Sequence, residues 1–155
     1  MKKTLFETLS RSPDETVEAG KRLGEYIRGS FDGLCSHGNV FVALYGDVGV
    51  GKTVFVTGLA KILSPGECVS SPTYAIVNEY RGKFRIVHYD MYRITSEDDL
   101  ESTGFYDYKN CVIAAEWCEN IPYALPEKRI DVVLGRTDNE NERSVGVYIA
   151  DTSDR

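Results

Sequence analysis

The sequence predicts an α/β fold built on a mixed sheet, parallel at its centre and antiparallel where strands are added. Three observations predict it. The apolar run Val40 to Tyr45 leads into a glycine loop and then into a helix-forming stretch that ends at Leu63, so a buried strand feeds a loop and a helix. A second compact apolar run, 111–115, has the composition of a strand buried on both faces of a parallel sheet. After the glycine loop there are more strand-like runs than helical ones, so some strands must join without crossover helices and therefore antiparallel.

Taken in order, residues 3–9 read as a short strand. Ser12-Pro13-Asp14-Glu15 then starts a helix, with Ser12 as N-cap, Pro13 at the first position and Glu15 closing a capping box. Val17, Gly20, Leu23, Gly24 and Ile27 form one stripe of that helix, which predicts packing on a sheet. Residues 32–39 read as a loop before the central strand, and Ser64-Pro65-Gly66 stops the next helix. Residues 73–80 and 83–89 flank Arg81-Gly82 as a tight hairpin, and Ser96 caps a short acidic helix. The apolar run 111–115 ends at Glu116; after Pro122 and Pro126, residues 130–134 and 144–150 make two more strands joined by the polar turn 137–142.

The chemistry starts at Gly46-Asp47-Val48-Gly49-Val50-Gly51-Lys52-Thr53, a P-loop pattern. Glycines let successive backbone N–H groups turn inward on phosphate oxygens, and the positive end of the following helix adds to the same field. Lys52 is placed to reach the β and γ phosphates, and the Thr53 hydroxyl to ligate Mg²⁺. A phosphate-transfer site also needs a carboxylate beside the metal and a group that positions the attacking water. Two carboxylates stand where strands run out: Asp90 after Phe84-Arg85-Ile86-Val87-His88-Tyr89, and Glu116 after Val112-Ile113-Ala114-Ala115. On residues alone, either one fills the carboxylate role. Ser70-Ser71-Pro72-Thr73-Tyr74 offers hydroxyls beside a stiff turn, fit equally for a γ-phosphate switch or for a capped loop. Trp117, the only tryptophan, sits at a strand end, where it can pack in the core or flank a ligand.

Composition bounds the rest. The chain has 155 residues, a single-domain length, with 42% hydrophobic and 27% charged residues, as expected of a soluble globular protein. No apolar span suits a membrane and no apolar stretch follows Met1-Lys2-Lys3, so a cytoplasmic location is expected. Cys35, Cys68, Cys111 and Cys118 lack zinc or disulfide-scaffold spacing, and His37 and His88 lack a ligand partner, so packing or surface roles are expected of them. Acidic residues outnumber basic ones by 24 to 18, for a net charge of −6, which argues against direct, tight nucleic-acid binding.

The 46–53 loop, Ser71-Pro72-Thr73-Tyr74, His88-Tyr89-Asp90-Met91-Tyr92-Arg93, Asp99-Leu100-Glu101 with Gly104-Phe105 and Asp107-Tyr108, and Glu116-Trp117 stand in an order that resembles the TsaE (YjeE) family. The likeness spans roughly residues 5–147. It implies a P-loop NTPase-like three-layer fold and a Mg²⁺-dependent ATPase that serves threonylcarbamoyladenosine (t6A) formation at tRNA position 37. It also implies action with TsaB and TsaD family proteins, with tRNA touched only indirectly. By matching positions, Asp47, Val48, Gly49, Val50, Gly51, Lys52, Thr53, Val54 and Trp117 would contact the nucleotide. Thr53 and Glu116 would serve the metal; Asp90, Glu116 and the switch residue Thr73 would be catalytic. Met91 stands where the family usually has leucine, the Arg81-Gly82 turn is short, and Val48 and Val50 fill variable loop positions. The rival readings are a small kinase and a GTP switch. The first lacks an arginine-rich lid, its candidates Arg81, Arg85 and Arg93 being scattered, and the second lacks an Asn-Lys-x-Asp guanine-reading segment.

Overall fold

A computed structural model describes residues 2–70 and 76–152. Its strands are β1 (Lys2–Ser10), β2 (Val40–Tyr45), β3 (Val77–Tyr80), β4 (Arg85–Asp90), β5 (Cys111–Glu116), β6 (Lys128–Arg136) and β7 (Arg143–Asp151). They form one sheet in the order β1-β7-β6-β2-β5-β4-β3. β2 runs parallel to both β5 and β6, and β4 parallel to β5; β1, β7 and β3 join antiparallel. The expected parallel centre with antiparallel additions is therefore present. β2 and β5, which lie inside the sheet, are the two strands that read as unbroken apolar runs, because both of their faces are covered.

The long helices α1 (Pro13–Leu34) and α2 (Lys52–Leu63) share one face of that sheet. They cover the even-numbered residues of β2, Val40, Val42 and Leu44, together with Ile86, Val112 and Ala114. The opposite face, with Phe41, Ala43, Val87, Tyr89 and Ile113, is covered by α3 (Glu97–Ser102) and by 3-10 turns at Phe105–Asp107, Cys118–Asn120 and Pro122–Ala124. The third layer is thus made of short pieces: α3 is the short acidic helix expected after Ser96, and the 3-10 turns had no counterpart in the sequence pattern.

The α1 start is as the sequence predicts on one side only. Ser12 Oγ accepts from Glu15 N at 3.1 Å, but the Glu15 carboxylate accepts from Arg11 N at 2.9 Å, one residue before the expected reciprocal partner. α1 also continues through 32–34, where a loop was expected. Leu34 is buried and Phe31 stacks on Phe84 with ring centroids 5.1 Å apart, so core packing carries the chain past the distorted backbone at Ser30. The β3–β4 connection needs correction too: it spans residues 81–84 rather than the two-residue turn Arg81-Gly82. Buried Ser64, at the end of α2, donates to the carbonyls of Tyr80 (3.1 Å) and Phe84 (3.0 Å) and draws this connection down onto the helix end. A Cβ on Gly82 would lie 2.5 Å from the Leu63 carbonyl oxygen, so only glycine permits that approach.

Of the expected 73–80 strand, residues 73–75 lie outside the described residues. All four cysteines are free, with Cys111 and Cys118 buried. Among the described residues no helix is long and apolar enough to cross a membrane.

Candidate functional site at the carboxyl ends of the parallel strands

β2 ends at Tyr45, and the chain turns through residues 46–51 into α2. Gly46 is forced by contact: a Cβ there would meet the Leu134 carbonyl oxygen at 2.5 Å and Val50 Cγ1 at 2.8 Å. Val50 N donates to Asp47 O at 3.2 Å to close the turn, and Arg136, from β6, donates to Val48 O at 3.3 Å and steadies its tip. Gly51 is the helix N-cap with φ 112, a conformation that L side chains rarely adopt. Because it has no side chain, Gly51 itself gives the first N–H groups of α2 no side-chain cap among the described residues. Those N–H groups point out of the helix end with its positive dipole.

Lys52, the first residue of α2, is 7% exposed although it carries a charge. Its ammonium donates to Gly46 O at 2.6 Å, stands 3.9 Å from Glu116 Oε1, and lies 5.6 Å from the centre of the Trp117 ring. The lysine is thus folded back under its own loop.

The parallel register of β4 and β5 sets Asp90 beside Glu116. Both side chains fall on the α2 face, the face of Ile86 and Ala114, because side chains two apart along a strand share a side. Asp90 Oδ1 accepts from Tyr92 N at 3.0 Å, which turns the chain out of β4, and Met91 N donates to Glu116 O at 2.9 Å. Immediately after Glu116 the backbone flips: Trp117 adopts φ 60, ψ 41, in the left-handed region where a bulky residue is an outlier. That flip stops β5, starts the 118–120 turn and swings the indole over Lys52. There Tyr92 meets it edge-on, with centroids 5.0 Å apart. Asn120 Nδ2 donates to Met91 O at 2.9 Å and ties the two strand exits together.

These groups enclose an open cleft of about 620 Å³ lined by Val48, Gly49, Gly51, Lys52, Thr53, Val54, Asp90, Tyr92, Glu116 and Trp117. A second cleft of about 350 Å³ opens across the loop, against Pro13, Thr16, Val50, Val54 and Arg143. Most residues expected at a site from sequence therefore meet in one place. Asp47 lines neither cleft, and the Val50 side chain is buried at 2% exposure, so its contribution to a ligand would come from its backbone. Thr73 lies outside the described residues.

Three participants escaped the sequence reading. Tyr92 was noted only as a neighbour of Asp90, and Arg136 lies far along the chain. His88, expected in a packing or surface role, is fully buried, with Nε2 2.8 Å from Glu116 Oε2. A signal for it existed: His88 is two residues before Asp90 and must share its face of β4.

The fold and cleft define an α/β protein with a polar site where the parallel strands end, the position at which open sheets of this class take ligands. The chain belongs to the TsaE family: the family model described as threonylcarbamoyl adenosine biosynthesis protein TsaE matches residues 10–145. Relatives named tRNA threonylcarbamoyladenosine biosynthesis protein TsaE agree. That of Bacillus subtilis is 34% identical over 92% of this chain and 84% of its own length. That of Treponema pallidum is 34% identical over 81% and 88%, and that of Aquifex aeolicus 31% identical over 93% and 96%. Among solved structures, the crystal structure of Bacillus subtilis YdiB superposes with a TM-score of 0.73 at 25% identity, covering 97% of this chain and 88% of that one.

Proposed function

We propose that this member of the family is a P-loop ATPase that hydrolyses ATP with Mg²⁺ in the service of tRNA t6A modification, acting together with TsaB and TsaD family proteins. One observation carries the reading: Lys52, Thr53, Asp90 and Glu116, from three different elements, line a single cleft at the mouth of a glycine loop.

The donor set fits a magnesium nucleotide. Mg²⁺ is ordinarily held by one or two carboxylates or hydroxyls together with substrate phosphates and water, not by an all-protein cage. Among the described residues, no group of three His, Cys, Asp or Glu gathers as a cage. Thr53 and Glu116 are the residues that would hold the ion, which would supply charge neutralisation at the phosphates. Lys52 would leave the Gly46 carbonyl for phosphate oxygens, keeping its hydrogen bond but exchanging a neutral acceptor for a charged one. The first N–H groups of α2 would bind the same oxygens. Asp90, more exposed than Glu116 and next to it in register, would orient an attacking water. Trp117 and Tyr92 wall one side of the cleft. The base and ribose would lie in the second cleft, beside Pro13, Thr16 and Val54. With a net charge of −6, the chain would leave tRNA contact to its partners.

The test is ATP hydrolysis by the purified chain, alone and with TsaB and TsaD family proteins. Slow turnover alone and acceleration by the pair are expected. Unchanged turnover on adding the pair would sink the partner assignment, and phosphate appearing on an acceptor other than water would turn the reading to a kinase.

A further inference from the structure

The Glu116 carboxylate is not free to turn. Its Oε2 lies 2.8 Å from His88 Nε2, inside a core where His88 has no exposed surface. A carboxylate only accepts, so the Nε2 proton is donated to Glu116. On the other side of the ring, Nδ1 lies 3.3 Å from the Tyr80 hydroxyl. That hydroxyl is itself anchored: it donates to Ser70 O at 3.0 Å and accepts from Ser70 N at 3.3 Å. Burial pushes the Tyr80 phenol up, so it keeps its proton. Whether this proton goes to Ser70 O or to Nδ1, the proton on His88 Nε2 stays directed at Glu116.

With Oε2 occupied, Oε1 is the oxygen left to face Lys52, 3.9 Å away. We infer that His88 is a positioning residue: its Nε2–H, backed by Tyr80 and Ser70, holds Glu116 so that Oε1 is the oxygen presented to the loop. A carboxylate with one oxygen fixed meets an ion or a phosphate-bound water in a single geometry, without the entropy loss of ordering itself on binding. The same chain of bonds ties that carboxylate to Ser70, three positions before Thr73 in sequence. This inference rests on Glu116 serving a magnesium nucleotide, as proposed above.

Two measurements test it. His88 and the exposed His37 are the only histidines, so ¹⁵N-histidine spectra with His37→Ala as the assignment control should show His88 with its proton on Nε2. The reverse neutral tautomer, protonated on Nδ1 alone, overturns the inference. The second is a Mg²⁺ titration of the complex with a non-hydrolysable ATP analogue, followed by calorimetry.

His88→Leu should lower Mg²⁺ affinity by roughly 10- to 100-fold, the usual loss when the partner of a ligating group is removed. Its affinity for the analogue without Mg²⁺, which the 46–53 loop sets, should stay within about threefold. His88→Gln restores a donor near the Nε2 position and should recover most of the loss. Tyr80→Phe should fall between the two. If His88→Leu does not fold, the comparison of His88→Gln and Tyr80→Phe with the unaltered protein decides.

Glu116→Gln is the reference. If it weakens Mg²⁺ binding and His88→Leu does not, or if His88→Gln is as impaired as His88→Leu, the positioning role is wrong. If the unaltered protein shows no Mg²⁺-dependent nucleotide binding, the ATPase reading falls first.

Discussion

The helix that ends in the candidate site is seated by a contact that one methyl group should break. α1 and α2 cross backbone to backbone at Gly20 and Gly58. A Cβ at Gly58 would lie 2.1 Å from Val17 O, 2.8 Å from Gly20 Cα and 2.8 Å from Lys21 N. All three are main-chain atoms, so no side chain can rotate out of the way. Carbon contacts settle near ~3.5 Å, so Gly58→Ala must push the helices apart by roughly 1 Å or more. Forcing a methyl into a filled interface costs ~1–3 kcal/mol, and here the upper end applies because only the backbone can give. Alanine returns about 1 kcal/mol of helix propensity, leaving a net loss of about 2 kcal/mol. For a domain of this size that lowers Tm by roughly 4–8 °C.

The assay is thermal and urea unfolding followed by far-UV circular dichroism and Trp117 fluorescence. Gly29→Ala is the counterpart, since a Cβ there meets nothing within 4 Å. It should be neutral or stabilising by up to about 1 kcal/mol. The packing argument fails if Gly58→Ala loses less than about 0.5 kcal/mol, a range typical of unconstrained surface changes, or if both variants lose equally. Because α2 carries Lys52 and Thr53 at its first turn, Gly58→Ala should also weaken nucleotide binding although it lies outside both clefts.

Two further outcomes are expected. Lys52→Ala should cut ATP affinity by at least tenfold in a calorimetric titration, since hydrogen bonds to a charged group contribute ~1.5–3 kcal/mol, while circular dichroism stays native; undiminished affinity would place the phosphate site elsewhere. At alkaline pH, burial pushes the Tyr45 phenol up to about 12 and raises Tyr89 and the Cys118 thiol as well. Phenols and thiols so raised bind their protons more tightly folded than unfolded. For Tyr45 that contribution to stability is therefore complete below the unfolded tyrosine value near ~10 and is lost as pH climbs through about 12. Phenolate absorbance should rise in two stages, exposed tyrosines first and the buried ones together with loss of circular dichroism. A single early rise with the fold intact would contradict this.

The candidate site was legible in pieces. Loop, strand-end carboxylates and the neighbouring tryptophan could be read because each is a local pattern: glycines before a helix, or a charged residue closing an apolar run. What escaped depends on neighbours distant in sequence. His88 looked like packing because the sequence does not state that β4 and β5 lie side by side, and only that register brings it to Glu116. Arg136 reaches the loop because β6 pairs with β2, and Tyr92 reaches Trp117 because Asn120 ties the strand exits.

Sequence by itself determined the mixed α/β architecture, the central strand and its loop, the cap of α1 and the apolar character of β5. Each follows from periodicity, capping or turn chemistry within a few residues. Tertiary structure decided where α1 ends, how far the β3–β4 turn extends and which oxygen of Glu116 faces the cleft. Those outcomes are set by burial and by hydrogen bonds across the sheet, which override local preference wherever a buried polar group must find its partner.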